Sequence, residues 1–527
     1  MTRTLLKLQF TLWKRTMRGN PAVLFMSAIT AFYALLGLLS ISIFLGMEIY
    51  DGKLMALSGA ISIGTAAYAI GSVMMPGGEK HLNPAAFATM PLTIRQLFPA
   101  FVISTFMQTR SVLAVICTVV TCVVACLTIQ SALGVLLVLI AMVLSFCTTI
   151  LLGEAFAEVL SRPADRKSKD RAIYIAVILG FSGFLAYSAL FSSGEEGEVP
   201  LTAVGEKLVW SPFGAPAGIV IFTLQGEYLK ALVTFLISLL TIGICAWLWW
   251  RITNARLIAP LERGSSSKPE QITTSSKSKL LLPGLKQTPQ TMVYSRALRY
   301  WARDSRFKSN AIIMPIFSAY FLYMGSTSDS VHLYMGAVML AFFSCSVSSN
   351  DFGYDGPANW LHIASAAPTK AVVLGRHLAS ITPPTILLVV YLAVMLTTAP
   401  NQFEALQVSA GVLGFYFMSI GIGVIASSHN SFATAAPGTN PWQDRSGFNS
   451  AALLNAFMGV LVGWIPLVPG VVLMVWGNFA GNSMMIVAGM VVALLIPLVL
   501  YNIAYRKAIR QVEMHYPEIF AKVRAFV

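Results

Sequence analysis

Apolar residues fall along this chain in long unbroken runs instead of alternating with polar ones. Runs of about 20 residues, the length an α-helix needs to cross a bilayer, lie near 23–46, 54–75, 101–128, 131–158, 172–193 and 230–250 in the first half. In the second half they lie near 310–325, 331–349, 379–398, 406–427, 450–474 and 483–505. The absence of period-two alternation argues against a β-barrel. The pattern predicts an all-α polytopic membrane protein with twelve transmembrane helices. Between its halves runs a polar, basic stretch that includes Gly264-Ser265-Ser266-Ser267-Lys268-Pro269 and Thr273-Thr274-Ser275-Ser276-Lys277. It divides the chain into a first six-span half (1–254), a flexible cytoplasmic linker (255–290) and a second six-span half (291–527).

Charge tests that count. With both termini cytoplasmic, 32 of the 36 Lys and Arg fall in cytoplasmic segments; only Lys53, Lys207 and Lys230 lie outside and Arg110 lies within a span. An inside excess of basic residues is what sets the orientation of membrane helices, and a wrong parity of spans would destroy the bias. The +14 net charge therefore reports topology and gives no reason to expect nucleic acid as a partner. Arg3, Lys7, Lys14, Arg15 and Arg18 precede the first run, which no small-residue cleavage site follows. It is expected to be a retained span and not a removable signal.

The two halves resemble each other. Trp13-Lys14-Arg15-Thr16-Met17-Arg18 matches Trp301-Ala302-Arg303-Asp304-Ser305-Arg306 at an offset of 288. Further on, Pro84-Ala85-Ala86-Phe87 answers Pro357-Ala358-Asn359-Trp360, and Pro91 to Leu97 answers Pro368 to Leu374. Most matched residues lie outside the spans, where apolar composition does not explain them. Because an even number of spans returns each half to the same side, the expectation is two parallel six-helix repeats. Each half would open on an interfacial segment, anchored by Trp13, Arg15 and Arg18 or by Trp301, Arg303 and Arg306 at headgroup depth.

Composition then narrows the class. Of 527 residues 56% are hydrophobic and 11% charged, against roughly 25% charged in a soluble domain. The six cysteines (117, 122, 126, 147, 245 and 345) sit inside apolar runs without a CxxC pair, so neither a disulfide framework nor a zinc site is expected.

The loop after the second span of the second half reads Asn350-Asp351-Phe352-Gly353-Tyr354-Asp355-Gly356-Pro357-Ala358-Asn359-Trp360-Leu361-His362. Asp355 suits an N-cap, and a proline just after it suits a first helical turn. Trp360, Leu361 and Ala364 would line one face of a short helix, ended by Pro368. Such a helix is suited either to rest on a membrane or to insert in a groove of another protein. The first half carries a reduced version, Leu82-Asn83-Pro84-Ala85-Ala86-Phe87.

Here the sequence resembles a family. The Asp355-Gly356-Pro357-x-x-Trp360 stretch, the following Pro368 and Gly375-Arg376, and the Leu82-x-Pro84-x-x-Phe87 partner look like permease subunits of type-2 ABC exporters. The likeness extends to the fused twelve-span actinobacterial permeases, some of them antibiotic or multidrug exporters. Trp210-Ser211-Pro212-Phe213-Gly214 and Pro437-Gly438-Thr439-Asn440-Pro441 are similar to that family too. The resemblance implies that Pro84, Phe87, Asp355, Gly356, Pro357 and Trp360 form coupling helices that dock on ABC ATP-binding subunits, two copies per permease chain. ATP and Mg would bind there and no cofactor in this chain. It also implies a partly re-entrant outer segment over 194–229. The first half lacks the Asp-Gly before its proline, which weakens the equivalent contact on that side.

The chain has no Gly-x-x-x-x-Gly-Lys-Ser/Thr phosphate loop and no His-Glu-x-x-His motif. An ABC permease is one reading, with an amphipathic, drug-like or lipid-like substrate. An ion-coupled secondary transporter is another, but it ordinarily needs mid-bilayer carboxylates, and nearly every acid here maps to a loop or a span end. A membrane enzyme would want clustered His, Asp or Glu, whereas His81, His332, His362, His377, His429 and His515 are scattered. The residues left for a translocation path are Arg110, Glu154 and Glu158. Arg110 either snorkels at a late-starting span or lines a pore, paired with a carboxylate or an anionic substrate. Glu154 and Glu158 are expected to pair with Arg162 on one helix face.

Overall fold

A computed structural model describes residues 2–19, 21–74, 87, 90, 93–106, 108–129, 131–160, 201–263, 281–327, 330–437 and 449–526. The chain forms two compact units, Met1–Thr273 and Thr274–Val527, whose boundary falls within the polar stretch at 255–290. The described residues are helical and contain no strand. Nine helices among them are long and apolar enough to cross a membrane.

In the first unit α1 (Thr2–Gly19) precedes the long α2 (Pro21–Tyr50) and α3 (Met55–Met74). Then come α4 (Ile94–Thr105), α5 (Thr109–Thr128), α6 (Ala132–Leu160), α7 (Leu201–Leu208), α8 (Ala215–Leu224) and α9 (Tyr228–Arg263). α3 packs on α6 and α7, and α9 packs on α6 and α8. Where α3 meets α7 the backbones touch. A Cβ on Gly59 would stand 2.0 Å from the Leu201 carbonyl oxygen, and one on Gly205 would stand 1.9 Å from that of Met55. Small residues of this kind substitute for a hydrophobic drive between helices that lie in lipid.

The second unit holds α10 (Pro289–Leu298), α11 (Tyr300–Arg303), α12 (Ser305–Thr327) and α13 (Ser330–Ser348). α14 (Asp351–Asp355), a 3₁₀ turn over Gly356–Asn359 and α15 (Trp360–Ala364) follow. It closes with α16 (Thr369–Thr398), α17 (Gln402–His429), α18 (Ser450–Phe457), α19 (Val468–Phe479) and α20 (Ser483–Val523). α20 lies along α17 and α19, and α17 lies along α13.

Large apolar side chains stand exposed along these helices, among them Phe32, Leu39 and Met47 on α2 and Val472, Trp476 and Phe479 on α19. A helix apolar on all sides, with its outer face uncovered by protein, belongs in hydrocarbon. The chain is membrane-embedded.

The expected spans meet four differences. The run at 172–193 lies outside the described residues. That at 310–325 falls in α12, which is long enough but opens on Arg306, Lys308, Ser309 and Asn310 and is not among the nine. The run at 450–474 is not one helix: a π turn at Met458–Val462 and a 3₁₀ turn at Ile465–Leu467 separate α18 from α19. Gly459, Gly463 and Pro466 supply the break. The expected span at 101–128 is likewise divided, into α4 and α5.

Candidate functional site

The segment between α13 and α16 is built around buried charge. Asp355, 3% exposed, receives hydrogen bonds from Arg296 of α10 and from the Tyr300 hydroxyl (2.6 Å), and it ion-pairs with Arg376 of α16. Arg296 also donates to His362 Nε2 at 2.8 Å. A guanidinium has no acceptor, so that imidazole nitrogen carries no proton. Burial first, and Arg296 second, push the His362 pKa down to about 4. Asp351 accepts from Ser380, and Arg376 donates to its backbone carbonyl. Burial raises the Asp351 pKa to about 6, against the pull of Ser380 and Arg376.

A second ion pair fixes the start of α12. Asp304 takes Arg306 Nε on both oxygens (3.0 and 3.1 Å), while Arg306 also donates to Thr434 Oγ1 (2.8 Å), Ala435 O (2.8 Å) and Tyr354 O (3.1 Å). The Asn350 side-chain amide donates to Phe432 O (3.0 Å) and accepts from Phe432 N (3.1 Å). The loop is therefore tied to α10, α12, α16 and the segment after α17.

These bonds correct several sequence expectations. Asp355 makes no side-chain cap, because two arginines and a tyrosine already occupy its oxygens. Its carboxylate is buried among these protein groups. Gly356 is buried and Pro357 half-buried. Trp360, by contrast, is 57% exposed, with Leu361 at 49% and Ile363 at 40% beside it. Pro84 lies outside the described residues. Phe87 is 8% exposed, packed with Leu5, Ile94, Leu97 and Phe101, so it is not a counterpart of the exposed Trp360.

The expected interfacial anchors also divide. Arg15, Arg18 and Arg303 are exposed and Trp13 is half-buried, stacked 5.9 Å from Phe10. Trp301 is buried, its indole donating to Ala379 O at 3.1 Å, and Arg306 is buried in the Asp304 pair. Protein groups already take the donors of both.

In the first unit, Arg110 stands in the first turn of α5 and ion-pairs with Glu154 of α6. Its Nε donates to Gln108 Oε1 (2.6 Å) and its Nη1 to Ser72 O (3.3 Å). Nearby, Tyr68 and Ser111 hydroxyls lie 3.1 Å apart, and Thr65 and Thr149 2.8 Å apart. Arg110 thus sits at a late-starting span and also has a carboxylate partner. Arg162 and the Glu158 side chain lie outside the described residues, and Glu154 is taken by Arg110.

Sequence reasoning missed Arg296, Tyr300, His362 and Arg376 as a group. A signal was present: Arg376 stands at the head of an apolar run, where an arginine needs a buried anion, and Asp351 and Asp355 are acids in the loop just before that run.

No family model matches the chain, and no curated protein or solved structure matches it.

Proposed function

We propose that this chain is the permease component of an ATP-driven exporter of the type-2 ABC class, with ATP and Mg bound and hydrolysed on a separate subunit. The observation that carries the reading is the segment 351–364. It lies outside the nine membrane-length helices and is held by buried ion pairs. It also presents Trp360, Leu361 and Ile363 outward. Interfaces concentrate their binding energy in such aromatic and aliphatic anchors, and a rigid support lowers the ordering cost of association. In this reading Trp360 makes the contact and Asp355 holds its position.

The same reading has the chain cross the cell membrane twelve times as two parallel six-helix repeats, both termini cytoplasmic, serving two ATP-binding subunits. The order of elements supports the repeat. A short helix pair broken at Trp210-Ser211-Pro212 precedes Gly226 and the long α9. Another, broken at Trp464-Ile465-Pro466, precedes Gly481 and the long α20. Gly226 and Gly481 both have positive φ, 79° and 63°, so each pair turns into its long helix through a left-handed residue. The substrate class is amphipathic or hydrophobic, a drug-like or lipid-like molecule moved outward.

Purifying the tagged chain in mild detergent tests this. Stoichiometric recovery of an ATP-hydrolysing subunit is expected. A chain that purifies folded and alone would favour an ion-coupled carrier, the second reading. The Arg110–Glu154 pair is the observation on the side of that reading, because buried carboxylates with cationic partners serve as proton sites in ion-coupled carriers.

A further inference from the structure

The far end of α20 has more chain than a membrane crossing requires. The helix runs 41 residues, Ser483–Val523, about twice what spanning takes, and it breaks at His515 (φ −132°) ahead of Pro517. Beyond the break the chain turns onto the loop that carries Trp360. The Tyr516 ring meets Phe352 edge-on at 5.6 Å, and its hydroxyl lies 3.5 Å from Asn359 Oδ1. Ile519 is buried with Phe352, Val372 and Val373, and Val523 is buried as well.

The last contact is the most specific. Gly356 has φ +51°, a region that favours glycine, and it links α14 to the turn that leads into Trp360. The space a Cβ would occupy there is filled by the Phe526 ring, 2.5 Å from the ideal Cβ position. Arg306 Cζ lies over the same ring, 5.9 Å from its centroid. The inner side of segment 351–359 is thereby covered by residues 516–526, while its continuation exposes Trp360, Leu361 and Ile363.

We infer that residues 516–526 are a strap that sets the position of the docking surface, with Phe526 seated on Gly356 as its fastening. Tyr516 and Phe526 are positioning residues: they act through the loop and not by touching a partner. The importance of the strap for partner binding rests on the docking reading above; the strap itself does not.

Hydrogen exchange on the full chain in lipid nanodiscs tests it without any partner. Phe526→Ala should speed exchange across 351–366 on the order of tenfold, the effect of a local opening made about 1.4 kcal/mol easier, and leave 330–348 of α13 unchanged. Phe526→Leu, which refills most of the space, should restore slow exchange. Gly356→Ala should loosen the same peptides both by strain at its positive φ and by displacing the ring, and should loosen them less when added to Phe526→Ala, because only the strain then remains. Unchanged exchange over 351–366 in Phe526→Ala would overturn the strap, whatever Gly356→Ala does, because alanine strains the backbone at φ +51° with or without the ring. Recovery of the ATP-hydrolysing subunit by the same variants is read separately. Loss with Phe526→Ala and rescue with Phe526→Leu link strap to docking, whereas full recovery by Trp360→Ala would defeat the docking reading and leave the exchange result standing.

Discussion

Asp355 and Trp360 are five residues apart and do opposite work. Removing one member of a buried ion pair strands the other charge, at a typical cost of about 3–5 kcal/mol. Asp355→Ala leaves Arg376 buried without its carboxylate, so the second unit should lose stability of that order in a denaturant titration in detergent. Trp360→Ala trims an exposed side chain and should move the same midpoint by no more than about 0.5 kcal/mol. Equal losses in the two variants would contradict the division of roles. The pH dependence of this loop follows from two opposed shifts. His362, lowered from 6.5 to about 4, contributes stability that is full above pH 6.5 and lost as pH falls toward 4. Asp351, raised from 3.8 to about 6, contributes stability that is full below pH 3.8 and lost as pH rises through 6. The two nearly cancel over the same window. His362→Gln removes one side, so that variant should be more stable at pH 4.5 than at pH 7, while the parent changes little between them. A common profile for parent and variant would show that this pair of groups does not govern the loop.

At the scale of elements, helix contact in the first unit depends on missing side chains. Gly59→Ala would drive a methyl into the Leu201 carbonyl across the α3–α7 contact. Backbone cannot yield as a side chain can, and overpacking of this sort costs roughly 1–3 kcal/mol. Gly64→Ala on the same helix meets nothing within 4 Å and should be neutral or stabilising by up to about 1 kcal/mol, from helix propensity alone. Thermal unfolding of the two variants in one detergent separates packing from propensity. Helices were the legible part of the sequence, because a bilayer demands uninterrupted apolar length. Interruptions were less so: Gly459, Gly463 and Pro466 are written inside the 450–474 run, yet the apolar residues around them keep its hydropathy high. Burial was not legible in the loops at all. Phe87 and Trp360 occupy matching positions in sequence, and only the surrounding chain decides that the first is covered by Leu5, Leu97 and Phe101 and the second by nothing described.

For the whole molecule, a division into two units near the polar stretch at 255–290 matches the sequence pattern, whereas the site was not legible there. Its parts, Arg296, Tyr300, Asp355, His362 and Arg376, come from five helices and lie up to 80 residues apart, and single-residue chemistry gives no hint that one carboxylate serves two arginines. The claim that matters most is that the Trp360 face meets an ATP-hydrolysing subunit. Photo-crosslinking in intact cells tests it most directly, with a crosslinking side chain at Leu361 and a control at Phe479, which is exposed on α19. The expected result is an adduct between the Leu361 position and an ATP-binding subunit, with none from Phe479. The same subunit captured from Phe479 but not from Leu361, or no adduct from Leu361 in cells where that subunit co-purifies with the chain, would contradict it.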